Sequence, residues 1–264
     1  MILAQISDLH ITQPGKRLSG RVDTAQCLRR AITQLNGLRP APNAVLITGD
    51  LVDGGSAGDY AHLRELLAPL QMPFYVIPGN HDERENLRHA FADQSYMPRT
   101  GFLHYAIEDY PVRILALDSN VPGSPHGTLD EAQLIWLATK LRAEPMKPTL
   151  ILVHHPPFST GIAFMDSVRL FEGCEEFAAI VGQHPQVERV LCGHLHRAIE
   201  ARWHGTLVMT APATCHQISL LLAPGAREGF SLEPPGYRLH LWDGRQLVTH
   251  TASIGDYPGP FPFA

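Results

Sequence analysis

The chain has 264 residues, 44% of them hydrophobic and 18% charged, enough apolar material for a substantial core and an ordinary globular composition. Its formal charge of −5 excludes a general nucleic-acid polymer binder, which would carry a basic stripe. Fifteen histidines against 21 Lys plus Arg is the unusual number. In chain order, apolar strand-like runs alternate with amphipathic helical stretches: "ILAQIS" (2–7), "TAQCLRRAITQLNGL" (24–38), "AVLIT" (44–48), "AGDYAHLRELLAPL" (57–70) and "FYVI" (74–77). "VRILALD" (112–118), "LDEAQLIWLATKLRA" (129–143) and "PTLILVH" (148–154) continue the alternation. Short, nearly continuous apolar strands separated by helices predict a sheet covered on both faces.

The final third is richer in strands: "RVLCGH", "GTLVMTA", "QISLLLA" and "YRLHLWDGRQLVTHTA". In the last of these, Asp243-Gly244 between alternating apolar positions signals a hairpin. "SLEPPG" (231–236) reads as a surface loop and "YPGPFPFA" (257–264) as an extended tail. With no repeat and no long linker, residues 1–264 read as one α/β domain with two packed sheets. Cys27, Cys174, Cys192 and Cys215 are scattered, with no CxxC pair. They read as reduced core thiols, which together with the absence of a signal-peptide pattern or membrane-length apolar run gives a cytoplasmic expectation.

Polar residues gather at strand ends. "ISDLH" supplies Asp8 and His10, and "TGDLVD" supplies Asp50. "VIPGNHD" supplies Asn80 and His81, "VHHPP" supplies His154 and His155, and "CGHLH" supplies His194 and His196. In open α/β sheets the crevice beyond the carboxyl ends of the strands is the ligand site. The two-residue spacing of Asp8 with His10, and of His194 with His196, places each pair on one side of an extended chain. Glycines at 49, 79 and 193 stand where a sharp turn or close approach tolerates no Cβ. A mixed N/O donor set without thiolate suits divalent Mn, Fe, Co or Zn. Two carboxylates, one amide and four imidazoles exceed one ion's needs; with one carboxylate bridging they serve two.

Taken in order, these segments resemble the calcineurin-like metallophosphoesterase superfamily, whose signature D-x-H, G-D, G-N-H-[DE], H, G-H-x-H is matched without a gap. Within it the chain is most similar to bacterial class III cyclic nucleotide phosphodiesterases and glycerophosphodiesterases, along nearly its whole length. The resemblance implies a four-layer αββα sandwich with possible cap or oligomerisation excursions in its loops. It implies Asp8, His10 and His196 on the first metal, Asn80, His154 and His194 on the second, and Asp50 bridging. His155 is then a non-ligand neighbour. His81 faces the substrate phosphate or leaving group, and His216 in "ATCHQ" is a further substrate-side histidine. Val52 and Asp53 follow Asp50-Leu51, so the tyrosine-ligand branch of the purple acid phosphatases does not fit.

The reaction implied is hydrolysis of a small phosphodiester, a 3′,5′-cyclic nucleotide or a glycerophosphodiester, by in-line attack of a metal-bridging hydroxide, with catalysis resting on Asp50 and His81. A phosphomonoesterase or nucleotidase is the alternative on the same site; a non-catalytic scaffold should have lost ligands, and this chain has lost none. No membrane partner is expected, and a homo-oligomer of two or more copies is compatible with the resemblance. Residues 51–60, 123–128 and 159–173 border the pocket in this reading, with Phe164, Met165 and Phe171 forming either an apolar wall or helix core.

Overall fold

The computed structural model describes residues 1–263. The chain begins with β1 (Ile2–Ile6), α1 (Thr24–Gly37), β2 (Ala44–Ile47), α2 (Ala57–Leu67), β3 (Phe74–Val76) and α3 (Arg84–Ala90). Next come β4 (Tyr105–Ile107), β5 (Arg113–Ala116), α4 (Glu131–Ala143), β6 (Thr149–Leu152), α5 (Ala163–Asp166) and α6 (Cys174–Gly182). The strands β7 (Val187–Cys192), β8 (Glu200–Trp203), β9 (Thr206–Thr210), β10 (Gln217–Ile218), β11 (Phe230–Ser231), β12 (Gly236–Trp242) and β13 (Leu247–Ser253) complete it.

Two mixed sheets result, in the orders β13-β12-β1-β2-β3 and β4-β5-β6-β7-β9-β8, with β10-β11 a separate ribbon. Strand parity explains the layering, because successive side chains leave opposite faces of a strand. Ala4, Ile6, Val45 and Ile47 pack against Leu28, Ile32, Leu63 and Leu87 of the first three helices. Their neighbours Leu3, Ala44 and Leu46 meet Ile114, Leu150, Leu152 and Leu191 of the other sheet. That sheet's opposite parity, Leu115, Ile151, Val153 and Val190, is covered by Leu134, Leu137, Phe177 and Val181 of α4 and α6. Three apolar layers between two sheets and their flanking helices make the αββα sandwich. Each fully buried Leu, Ile or Phe contributes roughly 1.5–3 kcal/mol.

Helix starts are locally encoded. Asp23 Oδ1 accepts from the Gln26 N–H at 2.9 Å, and Ser56/Asp59 and Asp130/Gln133 form capping boxes on α2 and α4, satisfying amide donors that have no intrahelical partner. The expected hairpin exists: β12 and β13 pair antiparallel across the Asp243-Gly244 turn.

Several expectations need correction. "QISLLLA" is a strand only at Gln217–Ile218, and Leu220, Leu221 and Leu222 are exposed, because the chain leaves the ribbon for a loop. "SLEPPG" begins inside β11 at Ser231. All four cysteines are free, but Cys27 is half-buried on α1 rather than in the core. No helix among the described residues is long and apolar enough to cross a membrane.

Candidate metal centre

β1, β2 and β3 run parallel in one sheet, and β5, β6, β7 and β9 in the other. Their carboxyl ends bring Asp8, His10, Asp50, Asn80, His81, His154, His155, His194, His196 and His216 to one edge. Asp8, His10, Asp50 and His196 converge as one buried cluster, and His154, His155 and His194 as another.

The pairs Asp8/His10 and His194/His196 share a side for a reason other than the expected one. None of the four is in extended chain: their φ values are 53°, 45°, 68° and 52°, and Asp50 has 49°. Left-handed backbone at a non-glycine residue costs of order 1–3 kcal/mol and concentrates at functional sites. Five of these residues turn their side chains into one crevice by this means. Glycines make the turns possible. A Cβ on Gly49, at φ +93°, would run into the His154 imidazole, and one on Gly79 would meet Asp50 Oδ1 and its backbone nitrogen.

Asp50 lies between the clusters. Its Oδ1 accepts from the His81 N–H at 2.9 Å. That leaves Oδ2 facing His10 Nε2 at 3.5 Å and His154 Nε2 at 3.4 Å. Asp8 is similar: Oδ1 accepts from the His194 N–H at 2.9 Å and lies 3.5 Å from His196 Nε2, while its buried Oδ2 has no partner among the described residues.

The imidazoles are oriented from behind. His154 Nδ1 donates to the Thr48 carbonyl at 2.8 Å, and His196 Nδ1 to the His216 carbonyl at 3.2 Å. His10 Nδ1 stands 3.3 Å from Asp53 Oδ1. Each therefore turns Nε2 inward, as ligand histidines held by outer carbonyls or carboxylates do.

The residues fit a pair of divalent cations. His154 Nε2 is 3.2 Å from Asn80 Oδ1, and His10 Nε2 is 3.1 Å from His196 Nε2. These are the edge lengths, ~3–3.5 Å, of a coordination polyhedron with ~2.1 Å metal–ligand bonds. Such close approach of nitrogen and oxygen donor atoms is an arrangement a cation between them stabilises. Buried His194 Nε2, like Asp8 Oδ2, finds no partner among the described residues.

Electrostatics agree. Burial, reinforced by the His154 charge, lowers His194 to about 3, and burial lowers His196 well below the ordinary imidazole value. Both are thus neutral and able to donate a lone pair. Burial raises Asp8 to about 6. For Asp50 burial also acts upward, but the His154 and His81 charges outweigh it and hold the carboxyl well below its usual range. Conversely, burial disfavours charge on His154, yet the Asp50 carboxylate lifts it to about 9. That concentrated negative field is what divalent ions would neutralise.

Asp82, the last residue of the Gly-Asn-His-Asp motif but given no role there, also shapes this edge, as do Asp53 and Asn120, which are not among the expected site residues. Asp82 Oδ2 accepts from the N–H groups of Gly79 (2.8 Å) and Leu51 (3.1 Å), and its Oδ1 accepts from the Tyr60 hydroxyl at 2.8 Å. Asn120 Nδ2 donates to the Gly79 carbonyl at 2.5 Å and the Asp82 carbonyl at 3.0 Å. Together they fix the turn that presents Asn80. His155 is fully buried, with Nδ1 2.8 Å from Ser119 Oγ and its ring 4.8 Å from that of His194.

A cavity of about 390 Å³ opens above the cluster, with His10, Asp50, Asn80, His81, His194, His196 and His216 at its base. Phe164, Met165, Val168, Ile218 and Phe230 form an apolar side, Leu18 and Ser19 another, and Pro125 contributes from the 123–128 loop. Phe171 is outside the cavity, packed near His126 with ring centroids 5.9 Å apart. Met165 combines both expectations, since it also packs with Ile162, Val168 and Leu195.

A two-sheet α/β sandwich whose strand ends gather carboxylate, amide and imidazole donors defines a metal-dependent phosphoesterase framework. The chain belongs to the calcineurin-like phosphoesterase family, whose model matches residues 1–198. It is 41% identical over 264 residues to a probable glycerophosphodiester phosphodiesterase, GpdQ, of Arcobacter nitrofigilis, covering 100% of this chain and 97% of that protein. It is 32% identical over 258 residues to the 3′,5′-cyclic adenosine monophosphate phosphodiesterase CpdA of Escherichia coli K12, covering 96% and 90%. A dimetal phosphatase from Danio rerio shares the fold at a TM-score of 0.65 and 16% identity, covering 97% of this chain and 99% of that one.

Proposed function

We propose that the protein hydrolyses small phosphodiesters, 3′,5′-cyclic nucleotides or glycerophosphodiesters, at this centre. Asp8, His10 and His196 would hold one divalent ion, Asn80, His154 and His194 the other, and Asp50 would be shared by both. The observation that carries the reading is Asp50: one oxygen is committed to the His81 amide and the other stands between two clusters. Fe, Mn, Zn or Co suits these donors, and bound there such ions supply Lewis-acid charge and a water of lowered pKa.

The protein's own residues do the rest. His81 stands at the cavity base with its side chain two-fifths exposed, and its Nδ1 donates to the Asp53 carbonyl at 3.0 Å. Nε2 is thereby left for the substrate, where it protonates the departing alkoxide or hydrogen-bonds a phosphoryl oxygen. His216, lowered to about 4 mainly by burial, meets substrate as a neutral imidazole. The apolar side formed by Phe164, Met165 and Phe230 receives the leaving group. Identity to relatives named for both substrate classes supports a phosphodiester and leaves the choice between them to assay.

We read residues 1–264 as one unit, since both sheets supply ligands. The four unpaired thiols support a reducing, cytoplasmic compartment. A chelated sample restored with Mn²⁺ or Co²⁺ tests the function: bis(p-nitrophenyl) phosphate should be cleaved in preference to p-nitrophenyl phosphate. Monoester preference would favour a phosphatase, and inactivity with two ions bound would leave a scaffold.

A further inference from the structure

The chain carries a second concentration of charge, opposite in sign to its net −5. Five of its 21 Lys and Arg lie in one short stretch, Lys16, Arg17, Arg21, Arg29 and Arg30, with Asp23 the single acid among them. Lys16, Arg17 and Arg29 line a cavity of about 300 Å³ with Pro14, Asp23 and His62. None of the three cations forms an ion pair among the described residues. Asp23 does not neutralise them as an ion-pair partner; its Oδ1 is taken by the Gln26 N–H as the cap of α1. Asp23 and Ala25, at the N-terminus of the 14-residue helix α1, line the same cavity, so the positive end of the helix dipole, already capped by Asp23, adds to the field of the three cations.

His62 makes this more than a helix end beside surface cations. Its residue is 8% exposed, and its Nδ1 donates to the Thr12 carbonyl at 2.7 Å. The other ring nitrogen, Nε2, forms no hydrogen bond among the described residues, and His62 lines the cavity. A largely buried imidazole anchored through Nδ1, three cations without ion pairs among the described residues and the capped start of α1 thus line one volume large enough for a phosphate group.

We propose that this cavity binds a small phosphate-bearing anion of the phosphomonoester class. The reaction proposed above would yield such a dianion, so this assignment of a physiological source rests on that reading; the binding itself does not. The position couples the two cavities. Thr12, whose carbonyl holds His62, is two residues from His10 and bonds Lys16 through Thr12 Oγ1 to its carbonyl at 2.9 Å. Leu18 and Ser19, next in the same loop, line the catalytic cavity. An anion seated between Lys16, Arg17 and Arg29 fixes the loop that forms one side of the substrate cavity.

Isothermal titration of the metal-loaded, full-length protein with inorganic phosphate tests this. Two sites per chain are expected, one at the metal centre and one here. Arg17 and Arg29 are both exposed, so the double variant Arg17→Ala/Arg29→Ala should fold, and it should weaken one site by at least about tenfold, the loss of one charge-assisted bond, while retaining the other. Asp50→Ala should show the reverse pattern, verified as folded by its thermal transition. A single phosphate site that the double variant leaves intact overturns the proposal, whatever the turnover of phosphodiesters. Glycerol 3-phosphate in place of phosphate distinguishes a product from the free ion: tighter binding assigns the site to a phosphomonoester, and binding of neither compound overturns it.

Discussion

Asp53 holds His81 through two atoms. Its carbonyl accepts from His81 Nδ1 at 3.0 Å, and its Oδ1 lies 3.4 Å from the same nitrogen. That Oδ1 is also 3.3 Å from His10 Nδ1. One carboxylate therefore lies against both the imidazole proposed to hold a metal and the one proposed to face substrate, and the nearby His10 and His81 rings hold Asp53 well below the carboxylate range. Asp53→Ala is expected to reduce kcat on diesters with poor leaving groups by roughly 10–100-fold, and Asp53→Asn, which keeps an acceptor, by less. His81→Ala should retain both metals yet lose about 10²-fold or more on the same esters. Comparing alkyl with p-nitrophenyl leaving groups checks the assignment; equal losses on both would contradict a proton delivered by His81.

The proposed bridge rests on Asp50, whose Oδ2 faces both His10 and His154. Asp50→Ala should empty or disorder the centre and abolish metal-dependent turnover. Metal analysis after gel filtration gives the readout: two ions still tightly bound would remove Asp50 from the bridging position. In the native protein, chelation should abolish turnover and added Mn²⁺ or Co²⁺ should restore it.

Gly79 is where the turn carrying Asn80 and His81 presses on Asp50. An alanine Cβ would meet the Asp50 side chain and backbone, and Asp82 and Asn120 pin the turn from two sides, so the collision has no easy relief. Gly79→Ala is expected to cost about 1–3 kcal/mol and to weaken metal retention together with stability. Thermal unfolding measures the first, at roughly 2–4 °C per kcal/mol for a chain of this size. A variant with native melting temperature and full metal content would show that the turn can yield.

The centre was legible because its donors lie close to strand ends in short, ordered motifs, and short motifs survive errors in local geometry. Asp8 and His10 illustrate this: extended chain would place both on one side, whereas the structure does so with left-handed backbone at each. The β10 region was misread for the opposite reason. Gln217-Ile218 continues into Leu220, Leu221 and Leu222, an apolar run that looks like a strand, but only tertiary pairing decides a strand's length, and here the partner β11 offers two residues. Asn120 acts through hydrogen bonds to backbone carbonyls brought near by folding, a role that leaves little trace in residue spacing, whereas Asp82 lies inside the Gly-Asn-His-Asp motif and only its partners, the Gly79 and Leu51 amides and the Tyr60 hydroxyl, needed the structure. Helix α6, Cys174–Gly182, lacks a side-chain cap at its start and follows Gly173 in left-handed conformation, so its beginning carried no capping signal.

His240 provides a pH test of the fold away from the metals. It is buried in the sheet, with Nδ1 2.9 Å from Thr249 Oγ1 and Nε2 3.2 Å from Gln5 Oε1. Burial, aided by the Arg238 and Arg189 charges, lowers it to about 3. The unfolded chain binds this proton below pH ~6.5 while the folded one does not until about pH 3. Its contribution is therefore fully present above the unfolded value and is lost as pH falls between these limits. From pH 7 to pH 5 the loss amounts to about 2 kcal/mol. Urea unfolding of the native protein and of His240→Gln at both pH values isolates the effect: the variant's stability should fall less across that interval by about the same amount. Parallel losses in the two proteins would mean that His240 takes up its proton in the folded state.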